Sequence, residues 1–494
     1  VAFAAFMAKL DSSILNISLP EIADYFQATT SEASRVVLIY MIVMTGTLLL
    51  FGQLSDRWGV KRLFMAGYAI FTLGSLMCGL SWSLDLLIAA RLVQGLGGSM
   101  LFISGFTIIP RCLPAGRTGW AFGLLGSAGA LALALGGPAG GLIAGLLSWH
   151  WIFLINVPMG LVAMAAAHRF LLPDAPRKPS PKTPFDIAGA VLSCVGLALF
   201  MHAASFGHEK GWTSGEILLS FAAAGLAMAG FLLRERRAAA PILDFAILRR
   251  RDFTLANGSA FLAVMVLAGS LFLIPFYLHD FLGLQPETAG FVTLAYSLVY
   301  MLAGPMAGRL SDRTHPRSLT SLGMGVGAAA SLGFVLTLVQ PGLAWVIAFY
   351  MFLAVAFACF IAPSNNMVMG LAPRDKVGAS AGLFQTVNNL GQAMGIVCFE
   401  TAYSWDTPAV TCQAAPDAPV SPADHALLAV GFQRAFLVGT AICLGSLVLA
   451  RLIRGNARRD DSAPSDARPG SGSTVPEPDH LDDDKRFQAP KTHL

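Results

Sequence analysis

The stretch Gly52-Gln53-Leu54-Ser55-Asp56-Arg57-Trp58-Gly59-Val60-Lys61-Arg62-Leu63 decides how this chain is read, because it returns in degenerate form as Gly308-Arg309-Leu310-Ser311-Asp312-Arg313-Thr314-His315-Pro316-Arg317-Ser318-Leu319. In each copy a long apolar run ends near a glycine, Leu-Ser-Asp-Arg follows, and after further basic residues a second apolar run begins. Such a segment is a tight hairpin between two membrane-spanning helices. Its glycine permits close helix approach, its aspartate can sit at a helix N-terminus, and its basic residues hold it at one membrane face. Equivalent chemistry in two halves marks a transporter built from repeats, with a path between them.

Composition agrees. Of the 494 residues, 55% are hydrophobic and 13% charged, about half the charged fraction of a soluble protein. A net charge of +4, dealt out between apolar runs, gives no ground for nucleic-acid binding. The seven cysteines show no metal-ligand spacing; all but Cys412 lie in or beside apolar runs and read as packing residues, and no metal site is expected. The apolar run begins at Val1 itself, so a short preceding tail is expected, and the run lacks the pattern of a cleaved signal peptide.

Runs long enough to cross a hydrocarbon core, about 20 residues each, fall near 1–20, 35–54, 62–82, 85–110, 118–147 and 151–172, then 185–207 and 213–233, then 253–279, 286–308, 317–339, 342–370, 377–404 and 431–453. The expected architecture is therefore an all-α polytopic membrane protein. It has an N-terminal six-helix bundle (1–172), a linker with two additional helices (173–252), a C-terminal six-helix bundle (253–453) and a disordered cytoplasmic tail (454–494). With this assignment, one side receives nearly all loop Lys and Arg, and the other only Arg35, Lys210 and Arg434. The positive-inside rule then places both termini in the cytoplasm.

Four intramembrane features bear on function. Asp11 lies nine residues before Pro20, about 14 Å along a helix and near the midplane. A carboxylate there is costly unless protonated, paired or hydrated, so it is either a proton-exchanging group or a structural carboxylate satisfied by a neighbouring helix. Lys9 points to nearly the opposite face. Two placements are open to it: snorkelling toward the basic side, or the cavity, where it would disfavour cations. Arg91 lies six residues after Asp85, either at the interface or deep enough to need a partner. In 126–141, Gly129, Gly136, Gly137, Gly140 and Gly141 accompany Pro138, a pattern that permits close helix packing and a bend.

With these residues in place, the chain resembles the major facilitator superfamily, and more narrowly its fourteen-span drug:proton antiporters. The Gly52–Leu63 stretch is similar to that superfamily's signature loop. The resemblance implies a cytoplasmic gate carried by Gly52, Asp56, Arg57, Gly59, Lys61 and Arg62, echoed by Gly308, Asp312 and Arg313. The second copy departs at Thr314-His315-Pro316, where Gly59 has no counterpart, so the first copy is expected to be the stronger gate. The glycine run with Pro138 resembles the antiporter motif of exporters. Leu10–Pro20 and Arg91–Gly98 resemble the segments that carry proton coupling, which implies Asp11 and Arg91 as coupling residues. Trp149–Gly160, with His150 in place of the usual arginine, resembles a subfamily mark at the junction of spans five and six.

No Gly-x-x-x-x-Gly-Lys-Ser/Thr run is present, so ATP is not the expected energy source. No loop carries a Ser/His/Asp or Cys/His arrangement, and no enzymatic activity is expected. The implied function is proton-driven export of amphipathic, drug-like small molecules from a bacterial cytoplasm across the inner membrane. No cofactor beyond the proton gradient is implied. Its partners are substrate, protons and membrane lipids, plus a periplasmic adaptor if the source is Gram-negative. The alternatives are an exporter of one metabolite or organic anion and, far less favoured, a non-transporting membrane sensor.

Overall fold

A computed structural model describes residues 1–114, 116–171, 173–174, 186–238, 241–242, 245–284, 286–337, 342–405 and 422–454. Helices dominate, and no strand occurs among the described residues. The first group is α1 Ala2–Phe26, α2 Thr30–Trp58, α3 Val60–Gly79, α4 Leu84–Cys112, α5 Thr118–Leu146, and the consecutive α6 His150–Leu154 and α7 Asn156–Phe170. The inserted pair is α8 Ile187–Lys210 and α9 Gly215–Glu235, followed by the short α10 Phe245–Leu248. The second group is α11 Arg251–Phe276, α12 Pro286–Arg313, α13 Pro316–Thr337, α14 Leu343–Leu371, α15 Val377–Ser404 and α16 Pro422–Leu452. A π-helical turn, Tyr277–Phe281, extends α11 just after its internal Pro275.

Helix ends are set by local chemistry. Thr29 and Glu32 form a reciprocal capping box at the start of α2, and the Ser83 hydroxyl accepts the Leu86 N–H at the start of α4 (3.2 Å). Each side chain satisfies a donor that the first turn leaves unpaired. Asp186 caps α8 through the Gly189 N–H and also accepts from Arg234 of α9 (3.1 Å), which ties the inserted pair together.

Two boundaries depart from the hydropathy reading. α1 continues past Pro20 to Phe26 instead of stopping there, with a 58° bend between Ala2–Leu15 and Ser18–Phe26. Proline removes the hydrogen bond to the residue four positions earlier, so a helix kinks upstream of it without having to end. α16 starts at Pro422, nine residues before the expected 431: residues 426–430 are apolar and belong to the span, and only the first turn, with Asp424 and His425, is polar.

Twelve described helices are long and apolar enough to cross a membrane, and bent α1 makes thirteen. The fourteenth expected span, α15, has the length but carries Gln385, Thr386, Asn388, Asn389 and Gln392. It packs on α2 and α11, so its polar side chains meet protein as well as the lipid that a hydropathy window assumes. The loop beyond Trp405, most of the linker from 175 to 185, and the tail from 455 onward, with Cys412, lie outside the described residues. The six described cysteines are free thiols.

The two groups meet along two helix pairs, α2 with α15 and α5 with α12. A large apolar cluster fills the second group and reaches Phe106 and Ile109 of α4 and Phe122, Leu125 and Ala130 of α5. α8 lies outside this junction, against α2.

Candidate functional site

The junction is tightest at the end of the helices that carries the repeated loops, called here the basic end. α2 and α3 are separated there by the single residue Gly59, whose φ of 104° is unfavourable for a residue with a side chain. Val60 therefore starts α3 without a side-chain cap from its own chain neighbours. Asp174, just beyond α7, supplies it: the Lys61 N–H donates to Asp174 Oδ1 (3.1 Å) and the Arg62 N–H to Oδ2 (3.4 Å). The Lys61 ammonium in turn donates to the carbonyls of His168 and Leu171 at the end of α7 (3.0 and 2.6 Å). Gly59 and Lys61 thus fasten α3 to α7 within the first group.

Asp56 reaches across the junction. Its Oδ1 accepts the Gly378 N–H (2.9 Å) and its Oδ2 the Ala379 N–H (2.7 Å), at the N-terminus of α15. Arg111 of α4 donates to the same carboxylate (2.6 Å). One turn earlier on α2, a Cβ at Gly52 would lie 2.6 Å from the Gly378 carbonyl, so a side chain there would push the helices apart. The second copy has the same geometry. Asp312 accepts the Gly119 N–H on Oδ1 and the Trp120 N–H on Oδ2, both 2.8 Å, at the N-terminus of α5. A Cβ at Gly119 would fall 2.6 Å from the Gly308 carbonyl. Each aspartate thus places a negative charge on the positive end of a helix from the other half. They differ in their third partner: Arg111 for Asp56, and the neutral amide of Asn366 (3.5 Å) for Asp312.

A second site is buried inside the first group. Asp11 and Arg91 are 1% and 0% exposed, and Arg91 Nη1 donates to Asp11 Oδ2 at 2.7 Å. The other carboxylate oxygen accepts from Gln94 Nε2 (2.9 Å) and Asn156 Nδ2 (2.8 Å). Gln94 Nε2 also donates to Ser75 Oγ (2.8 Å), and Arg91 Nε to the Val36 carbonyl (3.1 Å). The Arg91 guanidinium lies 4.4 Å from the Tyr40 ring centroid. Five helices (α1, α2, α3, α4 and α7) meet here. Three donors on one carboxylate and a cation–π face account for how two charges remain in a dry interior. Arg91 Nη2 has no hydrogen-bond partner among the described residues, so the guanidinium keeps a donor in reserve.

The glycines of α5 serve different neighbours. A Cβ at Gly136 would collide with Ser13 of α1, one at Gly140 would come 3.1 Å from the Ile14 carbonyl, and one at Gly129 would lie 3.7 Å from Lys9 Cγ. Gly141 faces open space. Pro138 lies within the helix without ending it. Gly123, outside the expected set, packs directly on Gly304 of α12.

The sequence reading did not single out Gln94, Asn156, Tyr40, Ser75, Arg111 or Asp174 as working residues. Asn156 and Gln94 had a signal: each is an amide within an apolar run and must find a partner there. Asp174 had none, since its partners lie more than a hundred residues away.

Residues 1–396 match the Major Facilitator Superfamily, and the chain belongs to that family of membrane transporters. It is 31% identical over 406 residues to the riboflavin transporter of Clostridioides difficile, covering 82% of this chain and 87% of that one. It is 29% identical over 460 residues to a methylenomycin A resistance protein of Streptomyces coelicolor (92% and 91% covered). With the tetracenomycin C resistance and export protein of Streptomyces glaucescens it shares 29% over 397 residues (80% and 73%). A human organic anion transporter has the same fold, with a TM-score of 0.62 at 14% identity over 91% of this chain and 97% of that one. The protein is a multi-pass membrane transporter and not an enzyme.

Proposed function

We propose that the chain is a proton-driven antiporter that exports amphipathic, drug-like organic compounds by alternating access, from a bacterial inner membrane with both termini and the basic end in the cytoplasm. The observation that carries this reading is the enclosed Asp11–Arg91 pair. A proton on Asp11 Oδ2 would displace the Arg91 donor, while Gln94 and Asn156 stay on Oδ1. Arg91 already donates to Gln94 Oε1, so it has a neutral acceptor to fall back on when Asp11 is neutralised. Protonation would exchange one hydrogen-bond set for another and loosen α1 from α4. The two aspartate latches at the basic end belong to the state closed to the cytoplasm, and their release would open the substrate path there. Export is supported by the resemblance of the glycine run around Pro138 to the antiporter motif of exporters and by the resistance and export functions in the names of two relatives.

The test is purified protein in proteoliposomes loaded with pyranine, a pH dye. Addition of a substrate found by growth screening should move protons in the wild type and none in Asp11→Asn, while substrate exchange persists. Substrate-driven proton movement at the wild-type rate in Asp11→Asn would remove Asp11 as the coupling group. The riboflavin transporter among the relatives favours a second reading, transport of one metabolite. A growth screen that returns a single protective substrate would select it.

A further inference from the structure

Lys9 is the one cation on α1, and the structure distinguishes between its two placements. Asp11 and the core stripe Ala4, Met7, Ile14, Leu15 and Ile22 are buried on one side of the helix, and Lys9 projects from the other, exposed. That side does not have the composition of a lipid face: one turn earlier is Ala5, and around Lys9 lie Ser12 and Ser13. Val1 and Ala5 pack against the apolar cluster that runs from α4 and α5 into the second group of helices. Residues four apart share a face, so Lys9 is directed at the junction between the halves. Its ammonium makes no hydrogen bond or ion pair with any described residue.

The helix beside it is α5, and the same strip of α5 meets α12 one turn away. A Cβ at Gly129 would lie 3.7 Å from Lys9 Cγ, and one at Gly126, one turn away on the same strip of α5, would lie 3.0 Å from the Tyr300 hydroxyl. Lys9 and Tyr300 therefore flank adjacent turns of one helix, about 5–6 Å apart along its surface. Tyr300 stacks on Tyr296 (ring centroids 6.0 Å), and Tyr296 meets the edge of Tyr350 (6.3 Å). A cation one helix turn from a buried tyrosine cluster is complementary to a flat apolar molecule with one acidic group. It repels a molecule of the same shape carrying a positive charge.

We propose that Lys9 is the anion-recognition point of the substrate path, and that the compounds carried are amphipathic aromatic acids seated between Lys9 and the Tyr296–Tyr300 pair. This rests on the transporter reading above but needs no proton coupling. The test is equilibrium binding to the full-length protein in detergent, followed by fluorescence anisotropy, with fluorescein as the anionic probe and ethidium as a cationic probe of similar size. The wild type should bind fluorescein more tightly than ethidium. Lys9→Met should weaken fluorescein by about tenfold, the loss of one charge-assisted hydrogen bond, and leave ethidium no weaker. Lys9→Arg should retain fluorescein, which controls for misfolding, and monodispersity of each variant is checked by size exclusion. Ethidium bound as tightly as fluorescein by the wild type, fluorescein unaffected by Lys9→Met, or fluorescein not bound at all would each overturn the proposal. No proton gradient is present in this measurement. Lys9-dependent binding without coupled transport would therefore remove the antiport reading alone.

Discussion

Replacing Asp312 with Asn keeps the side chain's size and removes its charge, and the structure sets what is lost. Asp312 accepts two backbone N–H groups at the N-terminus of α5. An amide offers one oxygen, so one N–H loses its acceptor, about 0.5–1.5 kcal/mol. The favourable interaction of a carboxylate with the helix end, about 0.3–1 kcal/mol or more when partly buried, also goes. Together these weaken the closed basic end by about 1–3 kcal/mol, about a five- to 150-fold change in the ratio of closed to open states. Asp56→Asn loses the same two terms at α15 and in addition its pair with Arg111. That pair is part-exposed and adds up to about 1 kcal/mol. The expected order is therefore Asp56→Asn above Asp312→Asn, with both well above wild type. Ser55 is buried beside the α2–α15 contact, so Ser55→Cys in a background without the native cysteines reports opening through its rate of maleimide labelling in nanodiscs. No acceleration in Asp312→Asn would refute the second latch, and a larger acceleration there than in Asp56→Asn would refute the role given to Arg111.

Asp11→Asn should destabilise the protein by about 3–5 kcal/mol, because it leaves Arg91 buried without its counter-charge; Asp11→Asn/Arg91→Met should regain most of this in detergent thermal unfolding without regaining proton movement. A single variant as stable as the wild type would mean that Arg91 finds water or another partner. Gly123→Val should abolish transport by wedging α5 from Gly304, while Gly141→Val, at an open position, should leave it intact; the reverse pattern in dye efflux would contradict the packing described. Asp174→Ala removes the cap of α3 and should lower stability by about 0.5–2 kcal/mol while transport persists; lost transport in a stable variant would place the Gly59 turn in the gate.

The number and order of the long helices were legible because each apolar run is bounded by loop chemistry, and the exceptions have physical causes. α15 was found by its length, although its amides keep it below the hydropathy of a span. The expectation of a weaker second loop came from Thr314-His315-Pro316, yet Asp312 makes the same two backbone bonds as Asp56. Those bonds need only a glycine and an aspartate four residues apart on the last turns of a helix, which Gly308 and Asp312 supply; the interruption lies beyond the helix end and affects only how α13 begins. Asp11 and Arg91 stood out as charges in apolar runs, but their pairing could not be read from positions eighty residues apart. The same holds for Asn156, which the sequence presented as a family mark and the structure presents as a donor to Asp11.

α5 connects the two sites. Its first turns are held by Asp312 and packed on α12 at Gly119 and Gly123, and its later turns receive Ser13 and Ile14 of α1 at Gly136 and Gly140. Asp11 precedes those two residues on α1, just before the 58° bend. A rotation of α1 that changes the Asp11–Arg91 contact must therefore move Ser13 in its notch on α5, or carry α5 with it. From Gly136 to Gly119 is about 25 Å of continuous helix, and a packed helix of that length moves more readily as a body than by bending. Spatial continuity alone is not coupling, so the claim needs a perturbation at one end and a readout at the other. Gly136→Ala adds one methyl group where Ser13 now sits. If α5 transmits the change, it should alter the labelling rate of Ser55→Cys at the distant basic end, with Asp11 and both latches unmodified. An unchanged rate, in a variant that packs Ser13 differently, would leave α5 as a shared wall and the two sites mechanically separate.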